Sequence, residues 1–149
     1  MAKYPKPRKW TPTRPEKYEG DVTNIIARSS WEIKFMNWAD LNPGIISWGS
    51  ETIIVPYRSP LDNKPHRYYC DFRIKVKSTT GLKTFLIEIK PHGQTILPKT
   101  TNKKRYLTEC STYMVNQAKW AAAKRWAEDR GWEFVVLTEY ELGIARRKA

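Results

Sequence analysis

Asp71, Glu88 and Lys90 are the residues of this chain whose types and spacing suit chemistry on a phosphate ester. Residues 66–77 alternate, with Phe72, Ile74 and Val76 on one face and Asp71, Arg73, Lys75 and Lys77 on the other. That is the period-two pattern of a strand with one face in a core. Ser78-Thr79-Thr80-Gly81 reads as a turn, and residues 82–90 as a returning strand ended by Pro91 and Gly93. Centring the turn on Thr79-Thr80 pairs Lys77 with Leu82, Val76 with Lys83 and Asp71 with Glu88. The same register puts Phe85, Ile87 and Ile89 on the face of Phe72, Ile74 and Val76, so the apolar pattern supports it independently.

Asp71 and Glu88 are then direct cross-strand neighbours, with Cβ atoms ~5 Å apart. Two like charges so placed repel unless something neutralises them. A hard divalent cation with oxygen ligands does so, and Mg²⁺ needs only one or two carboxylates besides phosphate and water. Lys90 leaves the same face a ~6.6 Å rise beyond Glu88. An ammonium there can orient an attacking water or stabilise a developing phosphorane. The bland alternative is a strand surface on which Asp71 pairs with Lys90 or Arg73 as an ordinary salt bridge.

The elements that must position these groups can be read around them. Ser29-Ser30-Trp31-Glu32 opens a helix as a capping box, with Glu32 reaching back to the Ser29 backbone. Trp31, Phe35, Trp38 and Ala39 form its apolar stripe, and Asn42-Pro43-Gly44 stops it. Residues 45–57 read as a first strand, closed by Pro56 and Pro60, and residues 58–65 as a turn. Residues 91–108 read as a long polar and basic loop with a short helix at its end. A second helix is expected over residues 112–129 with Gly131 as its C-cap, followed by a strand at Phe134-Val135-Val136-Leu137. The order α-β-β-β-α-β implies an α/β fold, a mixed sheet flanked by helices.

Composition narrows the partners. The 149 residues suit one domain. A formal charge of +12 favours a polyanion, because neutralising phosphates releases condensed counterions. Residues 64–77 carry five Lys or Arg against the single Asp71, and residues 83–105 six against the single Glu88. The two acids therefore sit alone in the most basic stretches. Residues 1–20 carry six Lys or Arg and four Pro, and read as an extended basic arm without helix, either wrapped on DNA or free as a tail. Apolar runs such as Phe85-Leu86-Ile87 are far short of the ~20 residues that span a bilayer, so no membrane partner is expected. Cys70 and Cys110 suit a reduced cytosol, and with His66 and His92 they lack zinc-ligand spacing.

Asp71 followed by Glu88-Ile89-Lys90 on the next strand resembles the PD-(D/E)XK nuclease superfamily, with Cys70 where that motif has Pro. The resemblance implies a restriction-endonuclease-like α-β-β-β-α-β core over residues 21–149 as a single nuclease domain. It implies Asp71, Glu88 and the Ile89 backbone carbonyl as ligands of Mg²⁺, with Mn²⁺ as a substitute, and Lys90 as the group that assists water. It also implies Glu32 as a site residue, and Gln117 on the second helix as a possible accessory, although a solvated helix face explains Gln117 equally well. Arg28-Ser29-Ser30-Trp31-Glu32, Trp48-Gly49-Ser50-Glu51-Thr52, Arg67-Tyr68-Tyr69, Glu88-Ile89-Lys90-Pro91 and Lys119-Trp120 are together similar to the head-completion nucleases of T-even-like tailed phages, which share features with transposon-end nucleases.

That closer resemblance implies a DNA endonuclease that trims packaged DNA before tail joining. It implies phage head or neck proteins as partners, and the host cytoplasm or the virion as the location. The competing expectation is a structural head protein that binds DNA with little or no cleavage. Glu51 is a further accessory candidate. Arg28, Arg67, Lys103, Lys104 and Arg105 are candidate phosphate contacts, each equally readable as plain surface.

Overall fold

A computed structural model of the chain describes residues 6–147. Lys3 and Pro5 of the expected arm lie outside the described residues. In chain order the elements are strands β1 (Arg8–Lys9) and β2 (Ile26–Ala27), helix α1 (Ser30–Leu41), and strands β3 (Ile45–Ser50), β4 (Ile54–Arg58), β5 (Pro65–Tyr69), β6 (Phe72–Ser78) and β7 (Gly81–Ile89). Helix α2 (Lys103–Glu128) and strand β8 (Glu133–Leu137) complete the chain, and short 3-10 turns occupy Pro15–Lys17 and His92–Gln94.

The β6–β7 hairpin has the register expected from its turn, with Lys77 opposite Leu82 and Phe72 opposite Ile87. It is the centre of a four-stranded sheet ordered β3-β6-β7-β8, in which only the β7–β8 pairing is parallel. Taken with the two helices, α1-β3-β6-β7-α2-β8 is the mixed, restriction-endonuclease-like order anticipated from the sequence. The parallel pairing needs a crossover, and α2 supplies it. Phe35, Met36 and Ala39 of α1 pack with Trp48, Phe72, Ile74, Ile87 and Ile89 on one face. Trp120, Ala123 and Ala127 of α2 pack with Leu86, Tyr68, Cys70 and Val55 on the other. The face carrying Glu88 is therefore covered, and Glu88 is only 5 % exposed.

Two expected strands are broken, and the breaks are joined. Residues 45–57 divide into β3 and β4, because Glu51 takes a positive φ of 55° that ends pairing with β6. Residues 66–77 divide at Cys70-Asp71, and β4 pairs with β5 in a separate two-stranded sheet. The Glu51 N–H donates to the Asp71 carbonyl at 3.0 Å and the Cys70 N–H to the Ile53 carbonyl at 3.1 Å. Each break thus satisfies the other's backbone. Gly49 permits the close approach beside this junction: a Cβ there would meet the Glu19 carbonyl oxygen at 3.0 Å and the Thr52 hydroxyl at 2.8 Å.

Helix α2 starts at Lys103, well before the residue expected, and takes up the end of the supposed loop. The Asn102 side chain caps it, accepting from the Arg105 N–H at 2.9 Å. Within the stripe foreseen for α1, Trp38 is 47 % exposed and Met36 is buried in its place.

The arm region docks from β1 onward. Trp10 packs edge-on against Trp48 at 5.4 Å, and the Thr13 and Arg14 N–H groups donate to Asp40 at 2.8 and 3.0 Å. Lys17 donates to the carbonyls of Ala39, Asp40 and Asn42, which satisfies the end of α1 with a cation where the helix dipole is negative. The 3-10 turn at Pro15–Lys17 corrects the expectation of a stretch without helix: Pro15 stands at its first position, where a missing N–H costs nothing.

Candidate functional site

The end of β7 and the start of α1 meet at a cleft of about 810 Å³. Its lining brings together Glu32, Asp71, Glu88, Ile89 and Lys90, along with Arg28 and Lys6. Asp71 stands at the break just before β6, and its Oδ2 accepts from the Ile89 N–H at 2.8 Å. That bond ties the carboxylate to the end of the strand that carries Glu88 and leads directly into Lys90. The Lys90 ammonium lies 3.6 Å from Glu88 Oε1. Glu32 enters from the first turn of α1. The Ser29 hydroxyl accepts from its N–H at 3.1 Å, the forward half of the expected capping box, but its carboxylate accepts from the Arg28 N–H at 3.4 Å rather than from Ser29.

These carboxylates are under electrostatic stress. Loss of solvent, and next the charge of Glu88, pushes the Asp71 carboxyl well above the usual carboxylate range. Loss of solvent also raises Glu88, against the opposing effects of the Tyr68 hydroxyl, Lys90 and Lys119. Glu32 is raised as well, mainly by burial, with the nearby Glu51 adding to the effect. Neighbouring acids whose charges are so poorly compensated are the natural seat of a hard cation. Among the described residues no three His, Cys, Asp or Glu side chains form a ready metal-binding group. A cation here would need oxygens from a backbone carbonyl, a phosphate or water to complete its shell, which is how Mg²⁺ is commonly held.

The remaining candidates fall in different places. Glu51 lies beside the cleft lining rather than in it, and pairs with Arg28. Gln117 is exposed on α2 and is not among the cleft residues. Lys103, Lys104 and Arg105 form the exposed first turn of α2, where Arg105 pairs with Glu109 at 2.9 Å. Arg67 is exposed on β5. His66 is engaged by Asp62, while His92 stacks edge-on with Tyr140.

Two residues not expected at the site act on Glu88 from the α2 side. The buried Tyr68 hydroxyl donates to Glu88 Oε2. The Lys119 ammonium lies 5.6 Å from the Tyr68 ring centre and 5.9 Å from that of Tyr57. Unbroken alternation would put Tyr68 on the face of Phe72, away from Glu88. Only the break at Cys70-Asp71 turns it toward the acid. Tyr68→Phe should therefore weaken Mn²⁺ binding about 10–100-fold, the usual cost of losing a hydrogen bond that orients a metal-binding carboxylate. Isothermal titration with Mn²⁺ alone checks this, and an unchanged affinity removes Tyr68 from the site.

Comparison with known proteins adds a family context. Residues 42–139 match the family described as TnsA-like endonuclease N terminal. The chain is 44 % identical over 137 residues to the head completion nuclease of Enterobacteria phage T4, covering 88 % of this chain and 89 % of that protein. No solved structure matches it. The family match contains Asp71, Glu88 and Lys90 but begins after α1, so Arg28 and Glu32 lie outside it.

Proposed function

The chain belongs to the TnsA-like endonuclease N-terminal family, and on that premise we propose that it is a divalent-metal-dependent DNA endonuclease of the PD-(D/E)XK type, acting in phage head completion. The observation that carries this reading is the convergence of Glu32, Asp71, Glu88 and Lys90 on one cleft, with Asp71 just before β6 and Glu88 near the end of its partner strand β7. The donor chemistry fits Mg²⁺, with Mn²⁺ as a substitute: Asp71, Glu88 and the Ile89 carbonyl would hold it. Bound there, the ion would act as a Lewis acid on a phosphate oxygen and lower the pKa of water.

The protein's own groups do the rest. Lys90 orients the attacking water and stabilises charge developing on the phosphorus oxygens. Glu32 contributes a second carboxylate at the cleft, and Tyr68 keeps Glu88 in place. The basic surface around the cleft draws in the DNA backbone. The name of the phage T4 relative supports placing the activity in head completion, with trimming of packaged DNA before tail joining as the specific task. Head or neck proteins are the partners in that setting and the host cytoplasm is the place.

The test is supercoiled plasmid incubated with the protein and Mg²⁺, Mn²⁺ or EDTA. Nicked or linear product with either metal and none with EDTA is expected. Tight, salt-sensitive binding without product under any metal would replace this reading with that of a structural DNA-binding head protein.

A further inference from the structure

We propose that Arg28 is a clamp for a backbone phosphate of the DNA, and that Glu51 holds it in readiness by occupying the position the phosphate takes. This rests on the nuclease reading above and goes beyond it by assigning a phosphate subsite at the cleft mouth. Arg28 lines the cleft one residue before the cap of α1. Its Nε donates to Glu51 Oε1 at 2.6 Å and its Nη2 to Oε2 at 3.2 Å. This two-pronged grip on an oxyanion is the geometry by which a guanidinium takes a phosphate. The Arg28 and Glu51 side chains are 52 % and 32 % exposed. An ion pair that wet contributes little to folding and can exchange its anion readily.

Glu51 is not placed there as a loose surface acid. It is one of two non-glycine residues among those described with a positive φ, at 55°, a conformation costly enough that the surroundings must enforce it. Its N–H is bonded to the carbonyl of Asp71. The peptide that carries the central acid of the cleft therefore also sets the position of the carboxylate that occupies Arg28. Glu32, held by the Arg28 N–H, stands on the other side. An additional acid beside a DNA-cutting cleft repels substrate, and occupying the clamp until a phosphate displaces it gives that acid a role. Lys6 lines the same cleft and adds a cation there.

The proposal predicts a gain of binding on loss of an acid, conditional on one arginine. Binding of a short labelled DNA duplex is measured by fluorescence anisotropy in Ca²⁺ for the full chain and for Glu51→Gln, Arg28→Ala, Arg28→Lys and the Glu51→Gln/Arg28→Ala double variant. Cleavage by the wild type in Mg²⁺ is run in parallel. Glu51→Gln should bind about tenfold tighter. Arg28→Ala should bind more weakly, with a salt dependence shallower by about one phosphate contact. Arg28→Lys should fall below the wild type, because a point charge lacks the fork. In the Arg28→Ala background the gain from Glu51→Gln should vanish. If Glu51→Gln does not fold, Glu51→Gly, which accepts the positive φ, serves in its place.

A wild type that cuts DNA, together with a Glu51 variant that binds no tighter, overturns the clamp alone. So does a gain that persists without Arg28, since that reports only the loss of a negative charge. A wild type that neither binds nor cuts overturns the nuclease reading and the clamp with it.

Discussion

Asp71→Asn, Glu88→Gln and Lys90→Ala should each lower the rate of DNA cleavage by about 10³-fold or more, while leaving the fold and duplex binding in place. A thousandfold corresponds to about 4 kcal/mol of transition-state stabilisation, the scale on which a preorganised charge acts in a site shielded from water. The three differ in what accompanies the loss. The two acid variants should also lose Mn²⁺ affinity in a titration, and their DNA binding should hold or rise, because a negative charge leaves the cleft. Lys90→Ala should keep its Mn²⁺ affinity and lose kcat with little change in KM, since the ammonium serves the transition state. Lys90→Arg should not restore the rate, because the wider fork does not reproduce a compact charge 3.6 Å from Glu88. Glu32→Gln should lose less than any of the three. Full cleavage by any of the three strand variants, measured by single-turnover plasmid nicking with circular dichroism as the folding control, removes that residue from the site.

These variants concern residues that were visible before the fold, and the reason is local. The β6–β7 register follows from a short turn and period-two alternation, both confined to adjacent residues, so the hairpin that brings Asp71 and Glu88 to the same end could be read from the sequence. What escaped depends on contacts between distant segments. The strand breaks at Glu51 and Cys70-Asp71 bond to each other, and neither segment alone contains a Gly or Pro at the break to announce it. The role of Tyr68 is hidden from the sequence because that break reverses which face it occupies. The first turns of α2 have no apolar stripe, so the sequence offers there only a basic loop ending in a short helix, separate from the one expected from residue 112. Thr108, Ser111 and Thr112 instead return their hydroxyls to carbonyls four residues back, a local bond that hydrophobic periodicity does not register. The docking of the N-terminal segment was equally hidden, since Asp40 and Trp48, which anchor it, belong to elements far along the chain.

The stressed acids should also make the metal-free protein less stable than its metal-bound form, in a way that depends on pH. Burial and the charge of Glu88 raise the folded-state pKa of Asp71 above its ordinary value. The folded chain then binds a proton more readily than the unfolded chain, so stability falls as pH rises from the ordinary carboxylate range through the raised pKa, and the penalty is complete above it. Glu32 and Glu88 are raised too and act with the same sign. Protonating acids also increases the positive charge of a chain already at +12, which opposes the gain through general repulsion. The informative quantity is therefore the difference between wild type and Asp71→Asn. In EDTA at neutral pH the variant should melt higher than the wild type, and the gap should close as pH falls through the window. Mg²⁺ at a hundredfold excess over its Kd should add about 2.7 kcal/mol to the wild type, roughly 5–10 °C for a chain of this size, and much less to Asp71→Asn. Scanning calorimetry across pH, with and without Mg²⁺, checks both arms. A wild type that melts above Asp71→Asn in EDTA at neutral pH would mean that the paired acids are already compensated by the protein and need no cation.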